Sequence, residues 1–200
     1  MKNHTPPDLT LITADQDLPF YTTLLQSGIE IKGRNGETVA GFLDRLPGFT
    51  LDYIADTVQT IFLDGTANDD LTTPLAGKTP TLALSAAMPG LAGAIFRRNS
   101  FHAGLRTRTS TKAQKTGADE PLTVTLKLFN SIATEKGPGL LRKGVTLQSD
   151  RLLKFLAPRE GLTGRIKGIS LADHTIAAGN LAASLARIET INLKIISSHG

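Results

Sequence analysis

Along this chain the spacing of apolar residues switches repeatedly between a period of two and a period near four. Ile29 and Ile31 alternate with Glu30 and Lys32, the pattern of a half-buried strand. Gly33-Arg34-Asn35-Gly36 is turn chemistry. From Glu37 the period lengthens: Val39, Phe42, Leu43 and Leu46 share one helical face, and Pro47-Gly48 ends it. Asp52 to Asp56 adds one further turn. VQTIFLDG then reads as a strand, with Ile61 and Leu63 on one side and Asp64-Gly65 as its closing turn. Leu71, Pro74 and Leu75 form a connection, Gly77-Lys78 a turn, and Leu82 and Leu84 mark the next strand. After a turn at Pro89-Gly90, the spacing predicts a helix over 91–105. Its Leu91, Ile95, Phe101 and Leu105 would pack, and Arg97, Arg98 and His102 would face solvent.

The flanks differ in character. Residues 1–20 carry Pro6, Pro7 and Pro19 and read as an irregular N-terminal arm. Residues 106–120, RTRTSTKAQKTGADE, are polar, basic and aperiodic, and read as a linker. The second half opens on LTVTLKLF, in which Leu122, Val124, Leu126 and Leu128 face one way. Gly137-Pro138-Gly139 reads as a turn, GVTLQ as a strand, and SDRLLKFLAP as a helix capped by Ser149 or Asp150 and stopped by Pro158. Gly168–Leu171 is a strand, Leu181 and Leu185 mark a short helix, and TINLKII is a final strand. The expected organisation is an arm (1–20), a module with its following helix (21–105), a basic linker (106–120) and a second α+β module (121–200).

The two modules echo one another. GIEIKGRNGETVAGFL resembles GVTLQSDRLLKFL, IFLDG resembles ISLAD, and TLALS resembles INLKIIS. The offset is 116 between Gly28 and Gly144 but 108 between Ile61 and Ile169, so any repeat contains gaps. A single larger α+β domain is the alternative.

Composition narrows the chemistry. With no Trp and only 5% aromatic residues, a core mainly of Leu, Ile, Val and Ala is expected. The absence of cysteine excludes disulfides and thiolate chemistry. The first twenty residues lack a signal peptide's apolar run, and no stretch approaches the roughly 20 apolar residues of a membrane span. A cytoplasmic protein without membrane partners is expected. The net charge of +4 conceals an asymmetry: residues 1–70 hold eleven carboxylates against four cations, and no carboxylate lies between Asp70 and Asp119. That gap contains Lys78, Arg97, Arg98, Arg106, Arg108, Lys112 and Lys115.

No catalytic constellation emerges. His4, His102, His174 and His199 are far apart and lack metal-ligand spacing. Asp173 and His174 are neighbours whose side chains would point to opposite faces of a strand. There is no nucleophile elbow, phosphate loop or dinucleotide fingerprint. We therefore expect no catalytic residue, no metal and no cofactor. Two features remain: the glycine-rich PGLAGA before a helix, where an anion could meet Arg97 and Arg98, and a basic surface of Arg97, Arg98, Arg106, Arg108, Lys112 and Lys115. The basic segment 97–115 suits nucleic acid or another polyanion, although Phe96 and Phe101 are its only nearby stacking platforms.

The order extended segment, helix, strand, turn, loop, strand resembles the β-grasp fold. Over residues 22–94 the chain is similar to its sulfur-carrier branch: the small subunit of molybdopterin synthase and the thiazole-synthesis carriers. GETVAGFLDRL, IFLDG, DDLTTPL and GKTPTLALS carry the resemblance. It implies a β-grasp module, or two in tandem, acting through protein–protein contact in sulfur transfer or cofactor assembly. In that family the C-terminal Gly-Gly is activated as its carboxylate. Here the matching place is Met88-Pro89-Gly90-Leu91-Ala92-Gly93 and the chain continues, so carrier chemistry would need cleavage after Gly93 or use of Gly200, before which His199 stands in place of glycine. The leading expectation is a non-catalytic binding protein with a protein partner. Polyanion binding is the alternative, and a sulfur carrier the third reading.

Overall fold

Pro6 and Pro7 do not keep the N-terminus irregular. In the computed structural model, which describes residues 5–106 and 120–198, Asp8–Thr13 is a strand, β1, with Leu9 and Leu11 fully buried. Proline removes a donor only at its own position, and both prolines precede the ladder. The alternation Leu9, Leu11, Thr13 then acts as it would anywhere else. The expectation of an arm over residues 1–20 is corrected there.

The elements that follow are α1 (Leu18–Tyr21), β2 (Ile29–Arg34), α2 (Val39–Asp44), α3 (Leu51–Asp56), β3 (Thr60–Leu63), β4 (Thr66–Ala67), β5 (Thr81–Ser85) and α4 (Gly90–Phe96). A 3-10 turn spans Phe101–Leu105. Then come β6 (Pro121–Phe129), α5 (Asn130–Lys143), β7 (Val145–Gln148), α6 (Ser149–Leu156), α7 (Glu160–Thr163), β8 (Gly168–Leu171), β9 (His174–Thr175), α8 (Leu181–Leu185) and β10 (Thr190–Ser197). The chain thus mixes helices and strands throughout. The hydroxyls of Thr38 and Thr50 cap α2 and α3 by accepting from the amides of Gly41 and Tyr53.

The chain divides into two compact units: 30–136, and 1–29 together with 137–200. In the first, the strands run in the order β4-β3-β5-β6-β2. β5 and β6 are parallel, and β3 is antiparallel to both β4 and β5. Val39, Phe42, Leu43 and Ile54 of the helices and Ile61, Leu82, Leu84, Leu126 and Leu128 of the strands are buried in its core. In the second unit the order is β7-β10-β1-β8-β9. β1 is parallel to β10 and antiparallel to β8, and β10 is antiparallel to β7. Leu9, Leu11, Leu147, Ile169, Ile191, Leu193 and Ile195 are its buried strand residues.

The segments paired by sequence share backbone detail. Gly28 and Gly144 have φ of 101° and 106°, just before β2 and β7. Both hairpins turn on two residues of positive φ, Asp64-Gly65 and Ala172-Asp173, the twist that suits a two-residue hairpin. The Asp64 amide donates to Thr81 at the start of β5, whereas the Ala172 amide donates to Asp8 at the start of β1. Beside the second hairpin, β1 therefore stands where β5 stands beside the first.

Three local expectations are corrected. Gly137-Pro138-Gly139 is not a turn but lies inside α5. A Cβ on Gly137 would come within 2.9 Å of both Leu25 and Thr22, so the glycine is there for close packing rather than for turning. Neither Ser149 nor Asp150 caps α6, whose N-cap is Gln148; the Ser149 hydroxyl instead donates to the Ile188 carbonyl. The helix over 91–105 is interrupted: Arg97 is extended and Asn99 has φ 53°. Of the basic linker over 106–120, residues 107–119 lie outside the described residues.

Candidate functional site

The segment from α4 to the 3-10 turn inverts the expected exposure. Leu91, Phe101 and Leu105 are 70%, 98% and 67% exposed, while two of the arginines meant for solvent are turned inward. Arg98 donates to the carbonyls of Ile54 and Ala55. These belong to the last turn of α3, where carbonyls lack helical partners and a cation is favoured. Burial lowers its guanidinium pKa from the ordinary value. Its amide donates to the Gln59 carbonyl over 2.7 Å, which stops α4 from continuing.

Arg106 closes the segment. Its Nε donates to the Ile95 carbonyl, one Nη to the Arg97 carbonyl, and the other to Asp69 Oδ1 at 2.7 Å. The Arg106 side chain is 11% exposed and that of Asp69 32%, so the pair is screened less than a fully exposed one. Arg97 Nε donates to Gln59 Oε1. Phe96 anchors the other end, with its ring 5.2 Å from that of Phe62 on β3. Exposed apolar side chains are therefore held on a backbone fixed from beneath. Arg97 and His102 are exposed beside them.

Of the six candidate anion-binding residues, the structure brings Arg97, Arg98 and Arg106 into this one segment. Arg97 and Arg98 follow the last residue of α4 and so stand at its C-terminal end, away from the PGLAGA end. Arg108, Lys112 and Lys115 lie outside the described residues, as does Gly200. Gly93 is buried within α4, and a side-chain carbon there would run into the Met88 carbonyl oxygen. Chemistry at Gly93 would first require α4 to unwind. Among the described residues, no group of three or more His, Asp or Glu is placed to hold a metal ion.

Set against protein families, curated proteins and solved structures, the chain has no match. Among the described residues no helix is long and apolar enough to cross a membrane. Sequence reasoning missed the platform because an exposed Leu or Phe at helical spacing is indistinguishable from a packed one. The available signal was the NS pair at Asn99-Ser100, which breaks helical continuity.

Proposed function

We propose that this protein is a non-catalytic binding protein of β-grasp-like modules. Its partner is a protein with an acidic surface and an apolar pocket, and it docks on the segment from α4 to Leu105. The observation that carries this reading is Phe101, 98% exposed on a backbone that Arg98 and Arg106 hold in place. An aromatic anchor that needs no ordering before binding is the hallmark of an interface hot spot. The partner's acidity follows from the lack of any carboxylate between Asp70 and Asp119. The β-grasp reading draws support from the order β2, α2, β3, β5 and its echo in β7, α6, β8, β10. The sulfur-carrier resemblance of residues 22–94 makes an enzyme of sulfur transfer or cofactor assembly the first partner to try.

The test is co-purification from the native host of the wild-type chain and of Phe101→Glu. A partner that is retained by the wild type, carries an acidic surface, and loses affinity about thirty-fold or more in the variant supports the reading. Equal retention of the same proteins by both chains overturns it. Polyanion binding has its own signature. Retention on nucleic acid that falls steeply with salt, and is abolished by alanine at Arg97, Arg108, Lys112 and Lys115, would replace the protein partner. Arg98 and Arg106 are left out of that set because they hold the backbone.

A further inference from the structure

The unit 30–136 also contains a cavity of about 450 Å3 on the sheet face opposite its core, and it arises from register. Phe62 of β3, Ala83 of β5 and Lys127 of β6 lie directly across from one another. Cross-strand neighbours on one face stand only about 5 Å apart, so a methyl between a phenyl ring and a long cation leaves a trough along the central strand. In the next row Ser85 faces Phe129. Met88, on the chain leaving β5, forms part of the wall.

One end of the cavity is built from polar groups. Asn130, which ends β6 and opens α5, has φ 53°, a conformation that costs an asparagine less than most residues but still something. Its side chain donates to the hydroxyl of buried Ser85 at 2.8 Å. Lys127 has no ion pair or hydrogen bond among the described residues. Apart from Gly65 and the hydroxyl-bearing Thr81, the remaining lining is apolar: Phe62, Ala83, Leu84, Met88 and Phe129. A cavity of this size, mostly apolar with a few converging polar groups, has the composition of a small-molecule site.

We infer that this cavity binds a small monocarboxylate with an apolar body, its chain or ring along Ala83 between Phe62 and Phe129 and its carboxylate on Lys127. Lys127 is half-buried, and a single cation in a mostly apolar wall favours a single anion that replaces part of its lost hydration. The cavity adjoins the docking segment, because Phe62 in its wall packs on Phe96 of α4, but its test uses no protein partner.

Decanoate and decanol, titrated calorimetrically into the full-length protein, are the probes. Binding of decanoate, weakened about tenfold or more by Lys127→Met while decanol binding is little changed, supports the assignment. Ala83→Trp should fill the trough and abolish binding of both. Should that variant unfold, the methyl resonances of Ala83 and Met88 in the wild type give the same answer by shifting on addition of decanoate. Unshifted methyl signals overturn the inference. So does a Lys127→Met variant that loses both probes equally or neither.

Discussion

Tyr21 is completely buried, yet its hydroxyl has no hydrogen-bond partner among the described residues. Desolvation first, and then the nearby Asp17 carboxylate, push its pKa up to about 12. The folded state therefore keeps a proton that the unfolded chain releases near pH 10. The resulting stability is fully present below about pH 10 and is lost as pH rises through about 12. Tyr21→Phe removes both the titration and an unpaired polar atom. We expect a urea midpoint equal to or slightly above wild type at neutral pH, and a shallower fall between pH 10 and 12. A variant clearly weaker at neutral pH would show that the hydroxyl is satisfied after all. Asp17, with its side chain 3% exposed and paired to Arg165 at 2.8 Å, is the more costly group to disturb, since removing the arginine would strand a buried charge. None of this is legible in the sequence, where Asp17 falls in the proline-bearing stretch 1–20 that reads as irregular and Tyr21 is the first residue after it. The signal that the reading of 1–20 lacked is the alternation of Leu9 and Leu11, which the prolines before it do not interrupt.

At the level of elements, the periodic segments were the legible ones. Ile61 with Asp64-Gly65, Leu82 with Leu84, and the alternation of Leu122 to Leu128 all became strands at the expected places. Punctuation by glycine and proline was less reliable, because a glycine chosen for packing looks like one chosen for turning. Gly137 is such a residue, and Gly93 is another. Gly93→Ala would force α4 away from the Met88 carbonyl and with it Phe96 from Phe62. We expect faster tryptic cleavage after Arg97 and Arg98 in that variant. Gly104→Ala, where an added carbon meets nothing within 4 Å, should cleave at the wild-type rate and serves as the control. Equal rates in both would mean that α4 does not depend on the close approach at Gly93. The inward turn of Arg98 was illegible for a different reason. Its partners are main-chain carbonyls of α3, more than forty residues earlier, and carbonyls leave no mark in a sequence.

On the scale of the whole molecule, the halves read from the sequence are not the halves that pack. The weak repeat placed similar segments in 21–105 and 121–200, yet β6 lies between β5 and β2 in the unit 30–136, and β1 lies between β10 and β8 in the other. Each compact unit thus holds one inner strand taken from the far side of the basic segment or from the far end of the chain. Local periodicity could not show this, because strand partners are chosen by three-dimensional closure. A fragment of residues 1–106 would lack β6 and one of 120–200 would lack β1, so each would leave a sheet open between two strands. We expect both fragments to be largely unfolded alone by circular dichroism and to regain native signal when mixed. Independent folding of either would refute the assignment of inner strands.

The parallel pairing of β1 with β10 also sets a clock. Leu9 lies opposite Leu193, so β1 must wait for a strand synthesised long after it. On a ribosome the unit 30–136 has all its strands once α5 begins to emerge, whereas β1 has neither β8 nor β10 beside it. At about 5–20 residues per second, the roughly 60 residues still to come impose a delay of several seconds. Through that interval Leu9 and Leu11 are an exposed apolar strand on a growing chain, the form in which nascent proteins engage holding chaperones.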